Sequence, residues 1–563
     1  MLANRFLPRM DFTDYQDFRQ NYRVNVPEPF NFGFDVVDVY AQEEPHRPAL
    51  YWCNDDDAEA TYTFKDVSDM SSRVANHFAS LGVQRGDVVM LILRQRPEVW
   101  WSMVGLHKLS AIVVPASFQL TPKDIVYRCN AAHVKQLVVV DDAEILQHLD
   151  TALPDCPSVE AVGVVGFGLD APQVPNAPLY YDYRAALQGA SATFARHKET
   201  ERNDDPMLIY FTSGTTGMPK MAWHNFTYPL GHITTALYWH KIVDGGLHLT
   251  DADSGWAKFG WGKMYGQWIC GCVQVAHDRD KFVPAKLLAL IDRLHLSTFC
   301  APPTIYRFLI KENLAGHDFS SIVHATTAGE PLNPEVYHQF KKATGLEIHE
   351  GLGQSETTVY LANFGFDELR VGSTGKPAPL YDVDLIDEKG RSCEDGEVGS
   401  IVVRAWPGTD TRYPTGLFRG YYLDDNATAR DWSDGVYNTG DTAWRDGDGY
   451  YWFVGRNDDV IKCSGYRIGP FEVESALMEH PCVLECAVTA APDSLRGQVV
   501  KATIVLAKGY VASETLIKEL QDHVKHVTAP YKYPRIVAFV EELPKTTSGK
   551  IRRMSIRDAD TDK

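Results

Sequence analysis

Over its first three quarters the chain alternates short apolar runs with stretches whose apolar residues recur at helical spacing. "FKDVSDMSSRVANHFASLG" (64–82) has that helical spacing and stops at Gly82, "GDVVMLIL" (86–93) reads as a buried strand, "PEVWWSMVGLHKLSA" (97–111) as a helix and "AIVVPA" (111–116) as a strand again. The rhythm returns at "KQLVVVDD" (135–142) and at "LSTFCAPPTIYRFLI" (296–310), where Pro302 and Pro303 part strand from helix. Alternation of this kind builds largely parallel sheets covered by helices, so the class expected is α/β.

The character changes near "GRNDDVIKCSGYRIGP" (455–470). Before it, "DGVYNTGDTAWRDGDGYYWFVGR" reads as hairpins with Asp-Gly turns. After it come a helix at "PFEVESALMEH", strands at "LECAVTAA" and "VVKATIVLA", a helix at "SETLIKELQDHVKHV" and a strand at "RIVAFV". We therefore expect two domains, a large one over 1–457 and a small α+β one over 458–563.

The balance of 55 basic against 74 acidic residues, a net charge of −19 over 563 residues, argues against nucleic acid as a partner. No apolar run approaches the roughly 20 residues that span a bilayer, and "MLANRFLPRMDFTDYQDF" lacks the apolar core and cleavage site of a secretory signal. The ten cysteines include two close pairs, Cys270/Cys272 and Cys482/Cys486, without matching ligand histidines. Buried free thiols in a reducing compartment are the reading favoured over a zinc site, and a cytoplasmic location is expected.

"IYFTSGTTGMPK" (209–220) couples an apolar run to a loop of hydroxyls, glycines and a lysine. A phosphate-cradling P-loop needs G-x-x-x-x-G-K-[ST]. Counted from Gly214, Pro219 stands at the second glycine and Met221 at the hydroxyl, and proline has no N–H to donate. That reading fails, leaving a mobile polar loop able to follow a phosphate.

The loop has company. "TSGTTGMPK", "GLGQSETT" (351–358), "YNTGD" (437–441), "GRNDDVIKCSGYRIGPFEVE" (455–474) and "LPKTTSGKIRR" (543–553) follow one another in this order, and together they resemble the adenylate-forming superfamily of acyl- and aryl-CoA synthetases. "GPFEVESALMEHP", "HVTAPYKYPR" and "AGEPLNPEV" are most similar to its medium-chain acyl-CoA synthetases. The resemblance implies a large N-terminal domain of layered sheets and helices with a small mobile C-terminal one. It also implies activation of a carboxylic acid by ATP, with Mg²⁺, and transfer of the acyl group to CoA.

Residue roles follow from motif position. Thr212, Ser213, Gly214, Thr215, Thr216, Gly217 and Lys220 are expected to clamp the departing phosphates. Gln354 and Ser355 meet nucleotide, and Glu356 holds Mg²⁺, a hard cation that prefers carboxylate oxygen. Asp441 accepts the ribose hydroxyls, with Arg456 near the same ribose or the α-phosphate. Gly329, Glu330 and Pro331 line adenine together with Glu350, Gly351, Leu352 and Gly353; an aromatic usually stands where Leu352 does. Lys550 bridges the substrate carboxylate and the α-phosphate during adenylation. Asp458 is the hinge about which the small domain turns for thioester formation, bringing Gly465, Tyr466 and Arg467 to the site. Arg496, Lys532 and Arg535 are candidates for the CoA phosphates.

"ADSGWAKFGWGKMYGQWICGCVQV" (252–275) corresponds to the acyl-binding region. Trp256, Trp261 and Trp268 either wall a shallow pocket or belong to the core. Lys263 either caps the pocket or pairs with an acid, and His224 and Trp223 flank the carboxylate. Three indoles suit a short- to medium-chain or branched acid. An aryl acid such as benzoate, another thiol acceptor, or a regulatory nucleotide binder without catalysis are the rival readings, and oligomeric state is left open.

Overall fold

A computed structural model describes residues 1–167, 170–212, 218–404, 414–463, 466–493, 496–545 and 551–561, the side chains of 467, 560 and 561 excepted. It is α/β, as the alternation predicts. A seven-stranded sheet runs in spatial order Tyr180–Asp182, Ala161–Val165, Val134–Val140, Val88–Ile92, Ile112–Pro115, Pro206–Thr212, Lys220–Asn225. Every pairing in it is parallel except the last. Val88–Ile92 lies inside it and is buried at all its residues, which is why its sequence is an unbroken apolar run rather than an alternating one.

A nine-stranded sheet is also parallel inside, but antiparallel at both edges. Its interior strands include Leu247–Thr250, Val273–Asp278, Thr298–Cys300, His324–Ala328 and Ile348–Gly353. Between the layers lie helices such as Phe64–Ser80, started by a capping box in which Thr63 and Asp66 satisfy each other's backbone N–H. Glu98–Lys108 packs against it and is buried all round. Gly105 permits this contact, since a Cβ there would lie 2.5 Å from the Ser71 carbonyl oxygen. Lys108 is tolerated inside because its ammonium donates to Asp38 at 2.7 Å.

The Gly/Asp-rich stretch forms the predicted hairpin, Val436–Arg445 against Tyr451–Arg456, with Gly449 at φ +83° in its turn. Beyond it a five-stranded sheet is built from Ile461–Cys463, Tyr466–Ile468, Val483–Asp493, Gly497–Leu506 and Ile536–Val540. Helices Pro470–Met478 and Glu514–Val527 bury Val473, Leu477, Leu516, Leu520 and Val524 in a core of its own. All ten cysteines are buried and free. Among the described residues no helix is long and apolar enough to cross a membrane, and no group of three or more His, Cys, Asp or Glu side chains could hold a metal ion.

Candidate active site

The motifs converge because strand register brings them together. Ala328 pairs with Gly351 across the parallel strands His324–Ala328 and Ile348–Gly353, so "AGEP" and "EGLG" leave the sheet side by side. Gly329 takes φ +102°, a region glycine favours. Glu330 accepts from Thr304 Oγ1 at 3.0 Å, with Arg307 at 3.6 Å, and Pro331 is half-buried beside it. The glycines of "EGLG" have a packing cause that the sequence does not reveal. A Cβ on Gly351 would meet the Trp239 ring at 2.6 Å, and one on Gly353 would meet the Trp261 ring at 2.0 Å. Leu352 is half-buried and paired with Leu361. Glu350 is buried; its carboxyl accepts from the Leu332 N–H at 3.3 Å, and burial pushes its pKa up to about 8.

Ser355, Glu356 and Thr358 are pinned from several sides. His224 Nε2 donates to the Ser355 carbonyl oxygen at 2.7 Å, the Glu356 carbonyl accepts from Phe418 N–H at 2.7 Å, and Tyr381 accepts from Thr358 N–H at 3.1 Å. The Glu356 carboxyl accepts from the Tyr421 hydroxyl at 3.0 Å, and that hydroxyl also lies 3.0 Å from Asp431 Oδ2. Asp431 in turn pairs with Lys220, whose ammonium sits 4.6 Å from the Tyr421 ring centre. Burial raises the Glu356 carboxyl above its ordinary value, against the opposing pull of its hydrogen bonds and of the Arg456 and Lys220 charges.

Asp441 lies opposite Arg456 in the hairpin register, and Arg456 Nη1 donates to its Oδ1 at 3.0 Å. Gln354 Nε2 reaches the other oxygen at 2.7 Å and the Tyr360 hydroxyl reaches it at 3.2 Å. Tyr437 orients Gln354 by donating to its Oε1 at 2.7 Å. Gly440 is required twice over: it takes φ +72°, and a Cβ would lie 2.7 Å from Arg456 Nη2. Gln354, Asp441 and Arg456 thus form one hydrogen-bonded set and Glu356 and Lys220 a second, the two meeting along the Gln354–Glu356 segment as one polar floor. Tyr421, Asp431, Tyr360 and Tyr437 complete it. None of these four was given a role from sequence: Tyr437 opens the motif "YNTGD" but was assigned none, and Tyr360, Tyr421 and Asp431 lie outside the motifs, where a tyrosine or aspartate has no local signal.

Strands Pro206–Thr212 and Lys220–Asn225 flank the "TSGTTGMPK" segment, Thr212 paired with Lys220. Ser213, Gly214, Thr215, Thr216 and Gly217 lie outside the described residues, as do Gly465 and Lys550. Asp458 follows the last hairpin strand, and its carbonyl accepts from Arg557 Nη1 at 2.7 Å. Tyr466 is half-exposed and stacked on Tyr531 with ring centres 4.1 Å apart, and Arg467 lies in the strand Tyr466–Ile468. Arg496 donates its backbone N–H to Asp493 at 2.8 Å, Lys532 is ion-paired with Glu472 at 2.5 Å, and Arg535 Nη1 donates to Tyr533 at 2.6 Å.

The tryptophans separate. Trp261 faces Gly353, whereas Trp268 donates to the Ala49 carbonyl at 2.9 Å and packs with Phe32 and Phe64 in the core. Trp256 is half-buried at the start of helix Ala257–Lys263, and Trp223 is half-buried in its strand. Lys263 is buried, donates to Gln95 Oε1 at 2.6 Å, and has its pKa pushed down to about 7 by burial. Of its two readings, the polar partner is Gln95 rather than an acid.

Comparison with known proteins gives two family matches, AMP-binding enzyme over residues 37–422 and AMP-binding enzyme C-terminal domain over 472–550. The acyl-coenzyme A synthetase ACSM5, mitochondrial, of Rattus norvegicus is 42% identical, covering 95% of this chain and 91% of its own. ACSM3 of Mus musculus, also named mitochondrial, is 38% identical over 97% and 93%. Among solved structures, the anthranilate CoA ligase AuaEII with anthranoyl-AMP superposes with TM-score 0.84 at 29% identity, covering 95% of this chain and 98% of that one. An acyl-CoA synthetase from Brucella canis superposes with TM-score 0.72 at 32% identity, over 96% and 95%. The mitochondrial names of these relatives overturn the expectation of a cytoplasmic location. That expectation rested on the lack of a secretory signal and on free thiols, neither of which tells one reducing compartment from another.

Proposed function

The chain belongs to the family of AMP-binding enzymes, and from that membership we propose that it is an acid:CoA ligase working through an acyl-adenylate. A substrate carboxylate oxygen attacks the α-phosphorus of ATP and pyrophosphate leaves. The CoA thiol then attacks the adenylate carbonyl, loses its proton and displaces AMP. The observation that supports the reading is that two hydrogen-bonded sets meet on the Gln354–Glu356 segment: Asp441, suited to ribose, held by Gln354, Tyr360 and Arg456, and Glu356, suited to a cation, held by Tyr421 next to Asp431 and Lys220. Charge builds on phosphate oxygens in the first step, and fixed donors and cations beside them are the main catalytic resource.

In this scheme Thr212–Lys220 clamps the leaving phosphates and Lys220 exchanges Asp431 for phosphate. Asp441 exchanges its Gln354 and Tyr360 contacts for the ribose hydroxyls, Arg456 staying beside it. Glu330, Pro331 and the 350–353 segment flank adenine. Glu356 suits Mg²⁺, because this ion is commonly held by one or two carboxylates with phosphate oxygens completing its shell. When bound, the ion offsets charge on the departing phosphates. Lys550 serves adenylation from a small domain that begins at Asp458. That domain then turns to present Gly465, Tyr466 and Arg467, with Arg496, Lys532 and Arg535 toward CoA. The acid is short- to medium-chain or branched, with Trp256, Trp261, Lys263 and His224 around its site. An aryl acid is the second reading, favoured by the fit to a ligase whose bound ligand is anthranoyl-AMP.

The test is exchange of labelled pyrophosphate into ATP with CoA absent, across a panel of acids. Acid-dependent exchange, followed by equal yields of AMP and thioester once CoA is added, is expected. ADP as the product, or no exchange with any acid, would refute the proposal.

A further inference from the structure

Directly behind the Gly353–Ser355 segment lies a group of buried polar aromatics that the polar floor does not use. Tyr210 and His224 come from the two strands flanking the phosphate loop, Tyr228 and His232 from helix Tyr228–Ile233, and Trp261 from helix Ala257–Lys263. All five are at most 5% exposed. Their rings run in a chain: His224 stacks on Tyr228 at 3.8 Å, Tyr228 meets His232 edge-on at 4.6 Å, and His232 lies 6.2 Å from Trp261. Gly260 leaves space for the Tyr210 hydroxyl, which a Cβ there would approach to 2.4 Å.

Most of the polar atoms in this group have nothing to bond. Among the described residues both ring nitrogens of His232, Nδ1 of His224 and Nε1 of Trp261 have no hydrogen-bond partner, and the hydroxyls of Tyr210 and Tyr228 have none beyond each other. Buried polar groups are ordinarily satisfied, so an orphaned set on one face of a site is a signature of something bound there. The chemistry of the set is readable. His224 donates through Nε2 to Ser355, which leaves Nδ1 as an acceptor. Trp261 offers only a donor, and neutral His232 offers one of each. Burial holds both histidines well below their ordinary pKa, so neither brings a charge.

We propose that this cluster is the tail subsite of the acid and selects a compact acid bearing an uncharged hydrogen-bonding group, a hydroxyl or an aromatic amine. The inference rests on the acyl-adenylate reading above, in which His224 stands at the acid's site. The tail then passes between Trp261 and His224 toward His232. A plain hydrocarbon tail leaves these atoms without hydrogen bonds, and a second carboxylate finds no cation among the five residues.

The experiment compares acids that differ only in hydroxyl against methyl: the 2-, 3- and 4-substituted benzoates, and 4-hydroxybutanoate against pentanoate. The readout is kcat/KM for AMP release with ATP and CoA. A preference of about tenfold or more for the hydroxyl member is expected at one or more positions, since a site with buried polar groups discriminates against a ligand that cannot pair them. Tyr228→Phe and His232→Leu should each shrink that preference toward unity while the methyl twin is still turned over. Methyl members equal or better in every pair, or a preference that survives both variants, would overturn the inference while leaving the ligase reading intact. Absence of AMP release with every acid would defeat the ligase reading instead. The subsite is then decided by thermal shift with the same acids and AMP: a larger upward shift for the hydroxyl twin, lost in His232→Leu, upholds it, and equal shifts refute it.

Discussion

Glu350 combines a carboxyl with almost no access to water and one backbone donor. With its folded pKa pushed up to about 8 and an ordinary value near 4.5, it holds its proton at neutral pH. Stability from this residue is full below about pH 4.5 and is lost as pH rises toward 8, because the unfolded chain releases the proton first. The slope is about 1.4 kcal/mol per pH unit over that window. Glu350→Gln removes the titration and keeps an acceptor for Leu332. Its melting temperature relative to the parent should therefore climb between pH 5 and pH 8; parallel pH profiles for the two proteins would contradict this account. Glu350 was proposed as a site residue from "EGLG", but its protonation was not legible there, because burial is set by the strands on either side of it.

At the scale of elements, the hydrophobic rhythm foretold strands and helices well because that patterning is local. Val88–Ile92, Glu98–Lys108, the Val436–Arg445 hairpin and the helices after Pro470 all form where the sequence puts them. What it could not supply was the reason for particular glycines. Gly353 reads as a nucleotide-loop residue, yet the Trp261 ring occupies the place of its Cβ. Gly353→Ala should cost about 1–3 kcal/mol through overpacking, seen as a lowered melting temperature. The double variant with Trp261→Phe should recover part of it, whereas simple additivity of the two losses would show that the contact is not responsible. The tryptophans make the same point in reverse. Trp261 and Trp268 are alike in sequence, but only Trp261 faces the site, since Trp268 is turned to the Ala49 carbonyl.

Over the whole molecule, two α/β sheets, a hairpin layer and a C-terminal sheet with its own core bring together residues far apart in the chain. The motif residues were proposed from sequence because each carries a family pattern. Tyr421 and Asp431, which join Glu356 to Lys220, were not, because only tertiary packing gives them a role. In the proposed function one chain performs two half-reactions with different residues of its small domain. The most direct test follows both halves in Lys550→Ala and Gly465→Leu: acid-dependent pyrophosphate exchange for the first, and conversion of pre-made acyl-adenylate to acyl-CoA for the second. Lys550→Ala is predicted to lose exchange by about a hundredfold or more, the scale of removing one positioned charge stabiliser, while thioester formation persists. Gly465→Leu is predicted to do the opposite. Equal loss of both halves in both variants would contradict the account.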